Sequence, residues 1–159
     1  MENNLFYRCE KCGNIIVKIV DGGGEVVCCG QPMTLLLANS TDASKEKHVP
    51  VAVKNNGKLE VTVGSVPHPM IQEHYIQWIA LVAENRFEIF YLKPGDAPKA
   101  TFLYSLSAVD VKIVNFNEDE SEVPNCEGGP CNFSYNELVA DSIAVYSFCN
   151  IHGLWKTTI

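Results

Sequence analysis

Apolar residues in this chain recur in short runs broken by turn residues, and no stretch holds the three-to-four-residue spacing of a long amphipathic helix. Ile15-Ile16-Val17-Lys18-Ile19-Val20 and Glu25-Val26-Val27 flank three consecutive glycines, Gly22 to Gly24, which predicts a small hairpin unit within residues 1–37. Residues 38–45 are small and polar and are expected to form a linker. From residue 46 to 159 the pattern is β throughout. Strands are expected at 49–53 and 58–63 with Asn55-Asn56-Gly57 as the turn between them, then at 75–82 and 87–92 joined by Glu84-Asn85-Arg86. Further strands are expected at 99–106, 109–116 and 142–149. Short strands with turns at this spacing predict an all-β, antiparallel sandwich or barrel.

The 159 residues accommodate one medium domain and a very small one, and residues 1–37 are too few to bury a core unaided. A metal or a partner must supply the difference there. The net charge of -7 argues against a nucleic-acid partner, and it repels an anionic substrate unless a local cation opposes it. No apolar stretch approaches the roughly 20 residues needed to span a bilayer, so no membrane association is expected. Met1-Glu2-Asn3-Asn4 lacks a basic region leading into an apolar one, which makes the cytoplasm the expected compartment.

Seven cysteines and four histidines change this picture. In a reducing compartment, cysteines at motif spacing mean metal or redox chemistry more often than a disulfide framework. Cys9-Glu10-Lys11-Cys12 and Cys28-Cys29 offer four thiolates with 15 residues between the pairs, a tetrahedral set that suits zinc or iron. Zinc ribbons normally repeat the two-residue gap, whereas neighbouring cysteines force a strained bite. Spacing alone leaves both a structural zinc and a one-electron iron open. His48, His68, His74 and His152 all lie beyond the expected linker at strand ends, and His152 follows Cys149 in a Cys-x-x-His. A lone histidine is ordinarily a satisfied surface or core imidazole; four of four beside a thiol form a constellation. Two histidines, a cysteine and a weak methionine would make a blue-copper site, but no methionine follows Met70 and two histidines are left over. Five donors leave one octahedral position open, as a catalytic metal requires. A thiolate among four neutral imidazoles would push electron density onto the metal.

These residues resemble the desulfoferrodoxins, the two-domain class of superoxide reductases. Residues 9–29 are similar to the desulforedoxin-type cysteine pattern. Glu46-Lys-His-Val-Pro50, Pro67-His-Pro-Met70, His74-Tyr-Ile-Gln-Trp78, Leu92-Lys-Pro-Gly95 and Cys149-Asn-Ile-His-Gly153 resemble the catalytic domain in order. The resemblance implies an immunoglobulin-like β-sandwich and a catalytic iron held by His48, His68, His74, His152 and Cys149. It implies a second iron on Cys9, Cys12, Cys28 and Cys29, where recombinant protein also accepts zinc. It further implies superoxide as substrate, a rubredoxin-like electron donor and a homodimer. By the same resemblance Lys47 draws superoxide in and helps deliver a proton, and Glu46 can occupy the sixth iron position in the resting state. An ammonium roughly 6 Å from the anion contributes about 3 kcal/mol at an effective dielectric near 20, less once solvent and salt screen it.

One segment departs from the pattern. Residues at about 115–140 form an acidic addition carrying Cys126-Glu-Gly-Gly-Pro-Cys131, whose four-residue gap permits a disulfide and equally permits two free thiols. Two readings from other classes remain: an iron electron carrier on the same donors without an open position, and a zinc-ribbon interaction protein using residues 9–29. Glu46 and Lys47 beside His48 favour the enzyme, since a pure carrier gains nothing from a cation that attracts substrate.

Overall fold

The computed structural model describes residues 5–41, 48–83, 86–103 and 143–159. The expected strand at 109–116, the added segment at about 115–140 with Cys126 and Cys131, and the Glu46-Lys47 pair lie outside the described residues.

Twelve strands and no helix occur among the described residues, and none of them forms a helix long and apolar enough to cross a membrane. In the larger part, β6 (Pro50–Asn55), β7 (Lys58–Val63) and β10 (Lys99–Leu103) form one antiparallel sheet in the order β10-β7-β6. The second sheet runs β12-β11-β8-β9, from β8 (Ile76–Ala83), β9 (Arg86–Tyr91), β11 (Ala144–Cys149) and β12 (Gly153–Thr158). The expected all-β sandwich is therefore what the chain forms. Asn56 and Gly57 both take positive φ, 46° and 75°, which gives the two-residue turn whose twist suits the β6–β7 hairpin.

The two sheets are built differently because their patterns differ. In β7, Leu59, Val61 and Val63 are buried while Lys58 and Glu60 face water, the alternation of a strand covered on one side. β8 is a continuous apolar run, and both of its faces are used. Ile79 and Leu81 pack with Leu59, Val61, Val63, Phe102 and Val145 between the sheets. Trp78, Ala80 and Val82 pack on the other face with Tyr146, Phe148 and Leu154, and there the N-terminal unit covers them through Phe6, Leu5, Ile15 and Val17. Phe6 stacks on Trp78 with ring centroids 5.1 Å apart and meets the edge of Tyr146 at 5.2 Å.

The N-terminal unit differs from the expected hairpin in which strands pair. β1 (Phe6–Arg8) lies between β2 (Ile15–Val17) and β5 (Thr34–Leu35), while β3 (Val27–Cys28) pairs with β4 (Gln31–Pro32). Ile19 and Val20 are not in the strand and are exposed. The reason is local. Cys29 and Gly30 both have positive φ, 52° and 74°, so the tight turn forms there rather than at Gly22–Gly24. Part of the expected linker is also pinned: Asn39 bridges to Trp155 of β12.

Replacing Phe6 by alanine removes the ring between Trp78 and Tyr146, and a loss of about 3–5 kcal/mol is expected. Urea unfolding followed by tryptophan fluorescence checks it; a loss below about 1 kcal/mol would show that the N-terminal unit does not depend on this ring.

Candidate metal centres

The sandwich delivers His48, His68, His74, Cys149 and His152 to one place from four separate segments. Their candidate donor atoms all lie within 4.8 Å of one another. His48 stands just before β6, His68 in the connection after β7, His74 just before β8, Cys149 at the end of β11 and His152 in the turn to β12. The four imidazoles close into a square. Neighbouring centroids are 4.6 Å apart for His48–His68, 4.5 Å for His68–His74, 4.8 Å for His74–His152 and 4.5 Å for His152–His48. The His48–His74 diagonal is 6.0 Å. Each ring stands edge-on to its neighbours.

The spacing of donor atoms suits one cation. His48 Nε2 and His152 Nδ1 are 2.9 Å apart, and Cys149 Sγ lies 3.6 Å from His152 Nδ1. Two nitrogens each about 2.1 Å from a metal, at right angles, are about 3 Å apart. His68 is turned the right way as well. Its Nδ1 is 2.6 Å from the Pro69 carbonyl, which can only accept, so Nδ1 carries the proton and Nε2 is left as a donor to a metal. Cys149 is fully buried and His152 is exposed, so the thiol lies on the protein side and solvent meets the site at His152.

Backbone contacts lock these segments together. Asn150 sits between two of the donors and grips the third: its Oδ1 accepts from the Tyr75 N–H at 2.9 Å, and its Nδ2 donates to the Glu73 carbonyl at 2.9 Å. His74 is thus held from both sides. The buried Ser147 hydroxyl donates to the His48 carbonyl at 2.9 Å. A bulge where β11 meets β8, between Phe148 and Cys149, shifts the register so that Cys149 opposes Ile76. Bulges of this kind re-aim side chains next to functional sites.

The second cluster is local. Cys9, Cys12, Cys28 and Cys29 bring their sulfurs within 4.8 Å of one another. The Cys9 carbonyl accepts from the Gly13 N–H at 2.8 Å, which curls the Cys-x-x-Cys into a knuckle. Cys12 and Cys28 sulfurs are 3.7 Å apart and those of Cys28 and Cys29 3.9 Å, close to the edge of a tetrahedron with metal–sulfur bonds of about 2.3 Å. The positive φ of Cys29 is how an adjacent pair achieves this bite, at the cost of an unfavourable backbone conformation. The Cys12 backbone N–H, chief among several donors, brings the pKa of the Cys9 thiol down to about 7, whereas hydrogen bonding with the Cys12 sulfur, followed by Cys28, pushes that of Cys29 up to about 12. Four thiolates so close together cannot coexist without a positive ion.

Matches to known proteins agree with this pair of centres. A family model described as Desulfoferrodoxin matches residues 40–158, and one described as Desulfoferrodoxin, N-terminal domain, matches residues 1–36. This chain belongs to the desulfoferrodoxin family. It is 40% identical over 151 residues to a desulfoferrodoxin of Syntrophotalea carbinolica, covering 95% of this chain and 93% of that one. It is 39% identical over 150 residues to a desulfoferrodoxin of Nitratidesulfovibrio vulgaris, covering 94% and 92%. The fold is that of a superoxide reductase from Treponema pallidum, with a TM-score of 0.64, 24% identity and 96% of each chain covered.

All nine candidate metal ligands named from the sequence fall into the two clusters, five in one and four in the other. Glu46 and Lys47 lie outside the described residues. Asn150, Ser147 and Trp155 carry no ligand-type signal, so the sequence does not reveal their roles, although Asn150 lies inside the Cys-x-x-His and Trp155 three residues beyond it.

Asn150→Ala should weaken metal retention by the sandwich centre about 10-fold or more, the usual cost of removing a group that orients a ligand. Competition with a chelator, followed at both centres, checks this; the four-cysteine centre should be unaffected.

Proposed function

We propose that this desulfoferrodoxin is a superoxide reductase, with His48, His68, His74, His152 and Cys149 as the ligands of its catalytic iron. The observation that carries the reading is the closed square of four imidazoles joined by a buried thiol. Five donors exceed what a structural tetrahedral zinc uses, and they leave one octahedral position for a substrate. When bound, iron supplies the single electron that, with two protons, converts superoxide to hydrogen peroxide without releasing oxygen.

The chain's own residues do the rest. The Cys149 sulfur, held inside the protein, would donate electron density toward a bound iron, and four neutral imidazoles would leave the centre net positive in an acidic protein. The Lys47 ammonium attracts the anionic substrate and brings a proton source close; Glu46 can fill the sixth position when substrate is absent. Cys9, Cys12, Cys28 and Cys29 hold the second iron.

We divide the chain into a desulforedoxin-like unit at 1–37, a connection at 38–45 and the catalytic sandwich at 46–159. A rubredoxin-like protein is the electron donor we propose, the active form is a homodimer, and the compartment is the cytoplasm, consistent with five of the seven cysteines lying in the two candidate metal clusters.

Anaerobic reduction of the iron-loaded protein, followed by a measured pulse of superoxide, tests the activity. One peroxide per superoxide with no oxygen supports reduction. Half a peroxide and half an oxygen per superoxide would mean dismutation, and no consumption above the uncatalysed rate would make the protein an electron carrier.

Lys47→Ala should slow the superoxide step and flatten its dependence on ionic strength while leaving iron content unchanged. Stopped-flow rates across a salt series decide it: parallel salt dependences in the two proteins would remove the steering role.

A further inference from the structure

Trp155 lies on β12, one strand from Cys149, and is 8% exposed. It touches two of the candidate iron ligands by two different means. Its ring stacks on His48 with centroids 4.7 Å apart and planes only 16° from parallel. Its indole N–H donates to the His152 carbonyl at 3.2 Å.

The strand under Trp155 is fixed from both sides. Asn39 takes hold of the backbone around it, donating to the Leu154 carbonyl at 2.9 Å and accepting from the Lys156 N–H at 2.8 Å. On the other side, Trp155 is the cross-strand partner of Ser147, whose hydroxyl donates to the His48 carbonyl. One cross-strand pair therefore holds His48 twice, by its main chain through Ser147 and by its ring plane through Trp155.

We propose that Trp155 is a positioning residue of the centre formed by the four histidines and Cys149. It sets the plane of the His48 imidazole and closes the turn that presents His152, the most exposed of the donors. A flat wall against His48 restricts rotation about its outer torsion, which is otherwise soft. The N–H anchor restrains the Cys149–Gly153 turn, which carries two of the five donors. The arrangement also joins the centre to the segment leaving the N-terminal unit, since Asn39 binds the same strand.

The proposal rests on the five residues being iron ligands, so the wild-type protein is measured first; a wild type that takes up no iron there refutes that assignment itself. Trp155→Leu and Trp155→Phe are then compared with it for iron release to a chelator, for the visible thiolate band and for the reduction potential. The iron of the four-cysteine centre in the same molecule serves as internal reference. Trp155→Leu should release the catalytic iron on the order of 10-fold faster and shift both band and potential. Trp155→Phe keeps a ring over His48 but lacks the N–H, and should fall between Trp155→Leu and wild type.

Leu59→Ala, a core substitution in the other sheet, should leave the band and the potential in place. Equal shifts in Leu59→Ala would show that general loosening of the sandwich is responsible, which overturns the proposal. So would variants indistinguishable from an iron-binding wild type. If Trp155→Leu does not fold, Trp155→Phe decides alone, because an unchanged release rate there removes the N–H anchor.

Discussion

A strand that is apolar on both faces has to be covered on both, and β8 is such a strand. Ile79 and Leu81 face the β10-β7-β6 sheet, while Trp78, Ala80 and Val82 face the N-terminal unit. Burial at roughly 25 cal/mol per Å2 of apolar surface makes either exposed face expensive. The sandwich and the seat of the small unit both follow from this one strand and its neighbour β11. The iron site does too. Its donors stand at the end where β8 begins and β11 finishes, and the ladder between these two buried strands sets Cys149 opposite Ile76, two residues from His74. A site on rigid strands needs less reorganisation to receive a metal than one on free loops.

Much of this was legible in the sequence, and the physical reason is that donor chemistry is carried by rare residue types. With only four histidines, finding each at a strand end was informative, and all four lie in the cluster. The strands from 49 to 103 were likewise visible, because alternation in β7 and a continuous run in β8 are strong patterns. What could not be read was pairing within the N-terminal unit. Three consecutive glycines predict a turn at 22–24, but the tight turn needs two successive residues with positive φ, and Cys29 with Gly30 meets that need. A non-glycine residue in that conformation is unexpected from composition. The metal geometry explains it, because two neighbouring sulfurs can face one ion only if the chain turns sharply between them.

The residues that orient the ligands were hidden for a different reason. Asn150 and Trp155 act through carbonyls, N–H groups and a ring face, none of which has a spacing signature. Asn150 reaches Glu73 and Tyr75, more than seventy positions away, so its role exists only once β11 lies beside β8. The short strands β1, β4 and β5 leave no pattern in the sequence, because two or three residues carry too little periodicity. β12 is longer, but Gly153 and Lys156 interrupt its pattern.

The two metal centres stand in opposite relations to the fold. The four-cysteine cluster lies within residues 9–29 and is made by a knuckle and a tight turn, in a unit whose strands hold two or three residues each. Four thiolates within 4.8 Å of one another repel, so an ion bound there contributes directly to the stability of that unit. The cluster of four histidines and Cys149 joins residues 104 positions apart, across a core that is already packed. There the donors are carried by strand ends and connections of a packed sandwich, so strand register contributes to bringing the buried thiol and the imidazole square together. Donors held on a packed scaffold would need little rearrangement to hold an iron that changes charge by one electron. That property suits a one-electron reduction of a small anion, and strand register contributes to it by setting Cys149 opposite Ile76, close to the His152 ring.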